Sequence, residues 1–186
     1  NPTPLINTNG DTEIQVSEAQ AFNGGMDVTG KNISNLTGIS SFTNLYSLYC
    51  AKNQLTALNL SANTALLGLN CDSNQLTSLN LSANTALNSL YCSYNQLSNL
   101  NLSSNTALTM VTCKNNQLTS LNISGITGLN TLRCQNNQLT TLNISNSNFL
   151  FDLDCSYNLL TSLPLNSSLI YFLQCRNNQI SNLNLT

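Results

Sequence analysis

The sequence predicts a solenoid of parallel β-strands stacked in short 21-residue coils, mostly β and loop, with an N-terminal cap. Two observations carry that prediction. Cysteine recurs at positions 50, 71, 92, 113, 134 and 155, a constant step of 21, with the seventh, Cys175, one residue early. Around each cysteine runs one string, L-x-x-L-x-C-x-x-N-x-L-x-x-L-x-L, filled in the first unit by Leu45, Leu48, Cys50, Asn53, Leu55, Leu58 and Leu60. A fixed period of about 20 to 50 residues marks supersecondary units that bury their apolar side only by stacking on neighbours. A chain of 186 residues with 41% hydrophobic content supplies the core that such a stack needs.

In chain order, residues 1–32 lie outside the repeat and hold the start of the cap. Within them, "NTNGDTEIQVSE" resembles an EF-hand-type calcium loop. Asn7, Asn9, Asp11, Glu13 (through its carbonyl), Gln15 and Glu18 stand at positions one, three, five, seven, nine and twelve, with Ile14 at the apolar eighth. Position one is asparagine and Thr12 replaces the turn glycine, so the resemblance implies weak calcium binding at most; a metal-free turn ahead of the cap is the other reading. The cap unit spans 33–44, where Ile33, Leu36, Ile39 and Phe42 are expected to seal the first turn of the core. Seven repeats follow over 45–186, starting at Leu45, Leu66, Leu87, Leu108, Leu129, Leu150 and Ile170. The last is incomplete, which creates the expectation of a longer native chain or a surface assembly.

Within each unit the L-x-C and L-x-L segments alternate with period two, which predicts short strands with leucine and cysteine inward. Stacking at about 4.8 Å per coil turns every slot into a column. The seven cysteines read as buried, reduced core filler. Their number is odd, and neighbours at strand spacing exceed the roughly 3.8 Å between Cβ atoms that a disulfide wants. With no C-x-x-C and no histidine, a zinc cluster is disfavoured. The asparagine column, Asn53 to Asn178, is expected to satisfy backbone groups of its own and the next unit at a tight turn.

The string L-x-x-L-x-[LC]-x-x-N-x-L resembles the leucine-rich repeat from about Ile33 to Thr186. In the early units Leu55, Leu58, Leu60 and Asn63 repeat the spacing of Leu45, Leu48, Cys50 and Asn53, a nesting similar to the short bacterial class called IRREKO. The nested asparagine persists at Asn84 and Asn105 and is replaced by Ile126 and Ser147. The resemblance implies a leucine-rich repeat solenoid that binds through its concave strand face and has a largely non-enzymatic role. Together with low charge and abundant asparagine, it implies a secreted or cell-surface protein, outer membrane associated, of the Bacteroidota kind.

Composition narrows the function further. Five Lys plus Arg in a chain of net charge −2 cannot form the basic stripe of a nucleic-acid binder. No apolar run approaches the roughly 18 residues of a membrane span, so direct membrane insertion is not expected. Without histidine, Ser-His and Cys-His nucleophiles are excluded. Asp152 and Asp154 share one face of a strand, but beside Arg133 they read as a solvated pair rather than an acid and base. An enzyme is not expected.

The units differ from one another mainly on one side. From Leu45 onward every charged residue and all six tyrosines fall on the first-half strand or its edge, while the second half carries almost only Asn, Ser, Thr and Ala. Aromatic rings give contact area at low entropy cost and charges give selectivity. The candidate ligand-binding residues are therefore Tyr49, Tyr91, Tyr94, Arg133, Phe151, Asp152, Asp154, Tyr157, Tyr171, Phe172 and Arg176, densest in the last two units. The expected partner is a protein, peptide or glycan. A scaffold or spacer of a larger surface protein, and ice binding by the Thr/Ser/Asn face, are the alternatives.

Overall fold

The structure, a computed structural model, describes residues 13–144, 147–165 and 170–183. Each unit forms one coil whose first half contributes a three-residue parallel strand. The strands are β1 (Gly25–Asp27), β2 (Ser47–Tyr49), β3 (Gly68–Asn70), β4 (Ser89–Tyr91), β5 (Met110–Thr112), β6 (Ser120–Asn122), β7 (Thr131–Arg133), β8 (Thr141–Asn143), β9 (Asp152–Asp154) and β10 (Phe172–Gln174). Eight of them form one sheet in the order β1-β2-β3-β4-β5-β7-β9-β10. The central residues Leu48, Leu69, Leu90, Val111, Leu132, Leu153 and Leu173 stand in register along it. That register survives the sixth unit, which is one residue short, since Leu153 still faces Leu173. One apolar core runs the length of the stack, and Leu45, Leu55, Leu66, Leu76 and Leu87 are fully buried in it.

Two residues beyond each cysteine the backbone enters the left-handed region: Lys52, Ser73, Tyr94, Asn115, Asn136, Tyr157 and Asn177 have φ of 54° to 57°. None is glycine, so each turn carries a conformational penalty of about 1 to 2 kcal/mol. The next residue, always asparagine, offsets it. Asn74 shows how: its Nδ2 donates to the carbonyls of Cys50 (3.0 Å) and Cys71 (3.1 Å), and its Oδ1 accepts the Leu55 N–H (3.0 Å). The same three bonds recur at Asn95, Asn116, Asn137, Asn158 and Asn178. The asparagine thus ties its own coil to the preceding one, not to the next as the sequence reading expects. The amide is placed at the turn, where it faces backward along the stack.

All seven cysteines are free thiols, and six are buried at 0% exposure. Cys175 is only half-buried, which corrects the expectation of seven sealed positions: it lies in the last described coil, whereas each of the other six is packed between neighbouring coils. Burial pushes the thiols of Cys50, Cys113 and Cys155 up to about 12.

The second halves are less regular than the alternation predicts. Among the described residues they pair as strands only at β6 and β8, in the units where Ile126 and Ser147 replace the nested asparagine. In earlier coils the side chain makes the inter-coil bonds instead: Asn84 Nδ2 donates to the Leu60 and Asn63 carbonyls at 3.1 and 2.8 Å.

The cap begins with helix α1 (Val16–Ala21), where the Gln15 N–H donates to Glu18 Oε2 at 3.1 Å. Ile39 is buried, and Ile33, Leu36 and Phe42 pack half-buried against the core. Phe22, which the repeat pattern does not single out, lies edge-on to Phe42 with centroids 5.9 Å apart and closes the cap.

Removing an asparagine from the column should strand a buried N–H and free two carbonyls. Asn95→Ala is expected to lower unfolding free energy in urea by about 2 to 4 kcal/mol, against less than about 0.5 for the exposed Gln96→Ala. Thiol titration should find one reactive group in the folded chain and seven in denaturant. The thiol pKa is higher folded than unfolded, so its contribution is complete below the unfolded value near 9.0 and is lost as pH rises toward about 12. Urea midpoints should therefore be flat from pH 7 to about 8.5 and fall above it.

Candidate binding face

Two outward columns line the sheet. The first runs Gly25, Ser47, Gly68, Ser89, Met110, Thr131, Asp152, Phe172, and the second Asp27, Tyr49, Asn70, Tyr91, Thr112, Arg133, Asp154, Gln174. The first column alternates glycine and serine in its early coils because the face is crowded there: a Cβ on Gly68 would lie 3.3 Å from Ser89 Oγ. Bulk enters only at Met110 and dominates the last two coils.

In those coils the sequence candidates come together. Phe151 and Tyr171 stack with centroids 5.2 Å apart and planes 1° from parallel. Phe172 lies edge-on to both, at 5.8 and 4.8 Å. Despite this mutual packing, Tyr171 is 73% and Phe172 53% exposed. Arg133 stands in register with Asp154, yet its guanidinium reaches diagonally to Asp152, with Nη2 at 2.6 Å and Nε at 3.2 Å from Oδ2. The hydrogen bond to Asp152 raises the Arg133 pKa, and Asp154 adds to it through space. Asp154 Oδ1 instead accepts the Ser156 N–H at 3.0 Å.

The strand exit carries the remaining candidates. Arg176 lies over the Tyr157 ring at 5.2 Å, and Lys114 over Tyr94 at 5.5 Å. Both tyrosines occupy the left-handed slot, which turns their rings outward beside the following coil. Tyr91 donates its hydroxyl to Met110 Sδ at 2.8 Å and is half-buried, while Tyr49 is exposed. Asn70 separates these two on the intervening strand.

Outside the candidate set, Ile14, Val16, Tyr46 and Leu67 are exposed in the cap and early coils, and two further exposed apolar residues lie in the later units. Phe149 is 62% exposed at a slot held by Ala65, Ala86 and Ala107 in earlier units. Leu159, exposed at 43%, interrupts a column of Gln54, Gln75, Gln96, Gln117, Gln138 and Gln179. Leu159 departs from an otherwise uniform column, and Phe149 puts a ring where the preceding units carry only alanine or Gly128; those departures were the signal available in the sequence.

Of the calcium-loop candidates, Asn7, Asn9 and Asp11 lie outside the described residues. Glu13 precedes the helix, Gln15 is the N-cap of α1, and Glu18 is buried in its first turn. Among the described residues no helix is long and apolar enough to cross a membrane.

No protein-family model matches the chain, nor does the sequence of any curated protein. Solved structures do. The functional domain of InlJ from Listeria monocytogenes, which includes a cysteine ladder, is 32% identical with a TM-score of 0.74 over 92% of this chain. A leucine-rich repeat protein of Leptospira interrogans superposes with a TM-score of 0.80 over 90% of this chain at 23% identity. The fold is a leucine-rich repeat solenoid. A third such solenoid, internalin C2 from Listeria monocytogenes, gives a TM-score of 0.63 at 19% identity, over 86% of this chain and 84% of its own. The chain spans less than half of the first two structures, 43% and 47% of their lengths.

Proposed function

We propose that the chain is a non-enzymatic recognition module that binds a protein through its strand face, with the aromatic cluster of the sixth and seventh coils as anchor. The observation that carries this reading is the concentration of exposed apolar surface. Of twelve exposed large hydrophobic residues among those described, six lie from Phe149 to Phe172. Solvent-exposed aromatic surface in one contiguous area marks an interaction site more often than a neutral surface. Charged groups at its side, Arg133 with Asp152 and Arg176 over Tyr157, give the anchor a polar rim. The internalin neighbours support a binding role by analogy of fold. Low charge and Asn-rich polarity support an extracellular or cell-surface setting, in which adhesion is the natural use of such a face.

We also propose that the loop from Asn7 to Glu18 takes calcium weakly. Its spacing supports this, as does the start of α1 directly behind position nine, since a calcium loop of this type leads into a helix.

On an array of proteins, peptides and glycans, Tyr171→Ala and Phe172→Ala should each weaken the bound protein at least about tenfold without changing the melting curve, while Thr119→Ala should not. The reverse ranking, or thermal hysteresis from the Thr/Ser/Asn face, would move the function to the other side. Calorimetry should give calcium heat with a Kd of about 10⁻⁴ to 10⁻³ M that Asp11→Ala abolishes; no heat at millimolar calcium defeats that assignment.

A further inference from the structure

We infer that the first three coils hold a second binding site, apart from the aromatic cluster, which takes a proline-rich segment of a partner protein as a polyproline II helix laid along the solenoid axis.

The tripeptide of β2 returns in β4. Ser47-Leu48-Tyr49 and Ser89-Leu90-Tyr91 are identical and stand two coils apart, with Gly68-Leu69-Asn70 on the strand between them. The leucines are buried, so serine and tyrosine face outward in matched pairs. Glycine keeps the floor between them low. Ser47 Oγ lies where a Cβ on Gly25 would stand, and Ser89 Oγ is 3.3 Å from the Cβ position of Gly68, so each hydroxyl leans over the glycine one coil back. Exposed Tyr46 and Leu67 form one wall of this trough, and Tyr49 and Tyr91 form the other. Met110 closes it at the fourth coil, where its Sδ accepts the Tyr91 hydroxyl at 2.8 Å and fixes that ring.

Small residues alone would mark only a gap. Ser47 points to a ligand, because it is 8% exposed, its hydroxyl has no hydrogen-bond partner among the described residues, and its oxygen still opens to solvent. The Ser89 hydroxyl is likewise uncommitted among the described residues. The neighbouring acceptors are in use: Asp27 Oδ1 takes the Thr29 N–H at 2.9 Å, and Asn70 Oδ1 takes the Asp72 N–H at 3.1 Å. Free hydroxyl donors beside occupied acceptors suit a chain rich in carbonyls and poor in N–H groups. Proline has the carbonyl and lacks the N–H.

Spacing selects the conformation. Two coils at about 4.8 Å each set the serine pair, and likewise the tyrosine pair, about 9.6 Å apart along the axis. A polyproline II helix has three residues per turn at about 3.1 Å each, so equivalent residues recur every ~9.3 Å. Prolines three apart therefore meet Tyr49 and Tyr91, and carbonyls three apart meet Ser47 and Ser89. A β-strand repeats each face about every 6.8 Å and falls out of step. An α-helix commits its carbonyls internally and leaves none for the serines. The polyproline II backbone forms no internal hydrogen bonds and is already extended, which is why aromatic-lined grooves hold such segments at low entropy cost.

The test uses the 186-residue chain and three fluorescent peptides of equal length: decaproline, its all-D mirror image, and a glycine-serine control. Decaproline should bind saturably below about 1 mM and at least about fivefold tighter than either control. Tyr49→Ala should weaken it at least about fivefold, and Ser47→Ala and Ser89→Ala about two- to fivefold each, with unchanged melting curves. Should Tyr49→Ala shift the melting curve, Leu67→Asn repeats the test at an exposed wall position whose slot holds Asn88 one coil on, and the same loss of binding is expected. No saturable binding, equal binding of the mirror image, or variants that bind as well as the parent overturns the inference. A loss with Tyr171→Ala in place of Tyr49→Ala also overturns it, because the peptide then sits on the aromatic cluster. So does a neutral oligosaccharide such as cellohexaose that displaces decaproline at a lower concentration, which would make a glycan the occupant.

Discussion

At the strand exit each coil is tied to the one before it by an asparagine, and much of the molecule follows from that contact. The side chain bridges the carbonyls of two successive cysteines and accepts an N–H from the preceding coil. For its amide to reach both carbonyls, the chain must turn sharply just before it, which puts the preceding residue in the left-handed region at every coil. A small side chain must also sit beneath the turn. Cysteine fits, since it behaves as a small hydrophobe when buried and adds no strong hydrogen-bonding demand of its own. Asparagine, left-handed turn and cysteine are therefore one device repeated down the column.

That device makes stability a nearest-neighbour property. Each coil contacts only the coils on either side, so stability is a sum of unit and interface contributions. The consequence shows at both ends. At the amino end Asn53 bonds to cap residues, its Oδ1 taking the N–H groups of Lys31 and Ile33, so the cap presents the same backbone surface as a true repeat. In the seventh coil the inward positions Leu173 and Cys175 are only half-buried, although their equivalents in earlier coils are sealed.

The sequence makes whatever repeats legible and conceals whatever happens once. Period, strand placement, inward columns and the asparagine turn all show in seven parallel copies, so composition bias cannot hide them. Phe22 could not be found that way, because the cap occurs once and the Phe22–Phe42 contact spans segments without a common pattern. The direction of the asparagine bonds was unreadable for another reason: a periodic string looks the same forward and backward. Side-chain reach also lies outside a column diagram. Slot comparison places Arg133 opposite Asp154, but a long guanidinium satisfies two bonds to one oxygen of Asp152 by crossing the strand diagonally. For the site, the columns located the aromatic cluster, while Phe149 and Leu159 stood in slots classed as monotonous.

Separation of scaffold from surface follows from the same geometry. Inward slots admit a narrow set of residues, cysteine in its own column and leucine with an occasional Val111 or Ile123 in the others, because equivalent positions must pack on each other at a fixed spacing. Outward slots face solvent and are free to differ. In a chain with only 6% charged residues, placing the charges and tyrosines of the repeats on one of two available faces is a strong asymmetry that stacking does not demand. The left-handed slot sharpens it. A turn that tolerates Asn or Ser at lower strain holds tyrosine at coils three and six, where the next coil supplies a cation over the ring. The strain of placing an aromatic residue there is met by a contact made outside the core, on the side where the charges gather. The paired tyrosines and cations are consequently best understood as features of the surface, held in position by a scaffold that would be complete without them.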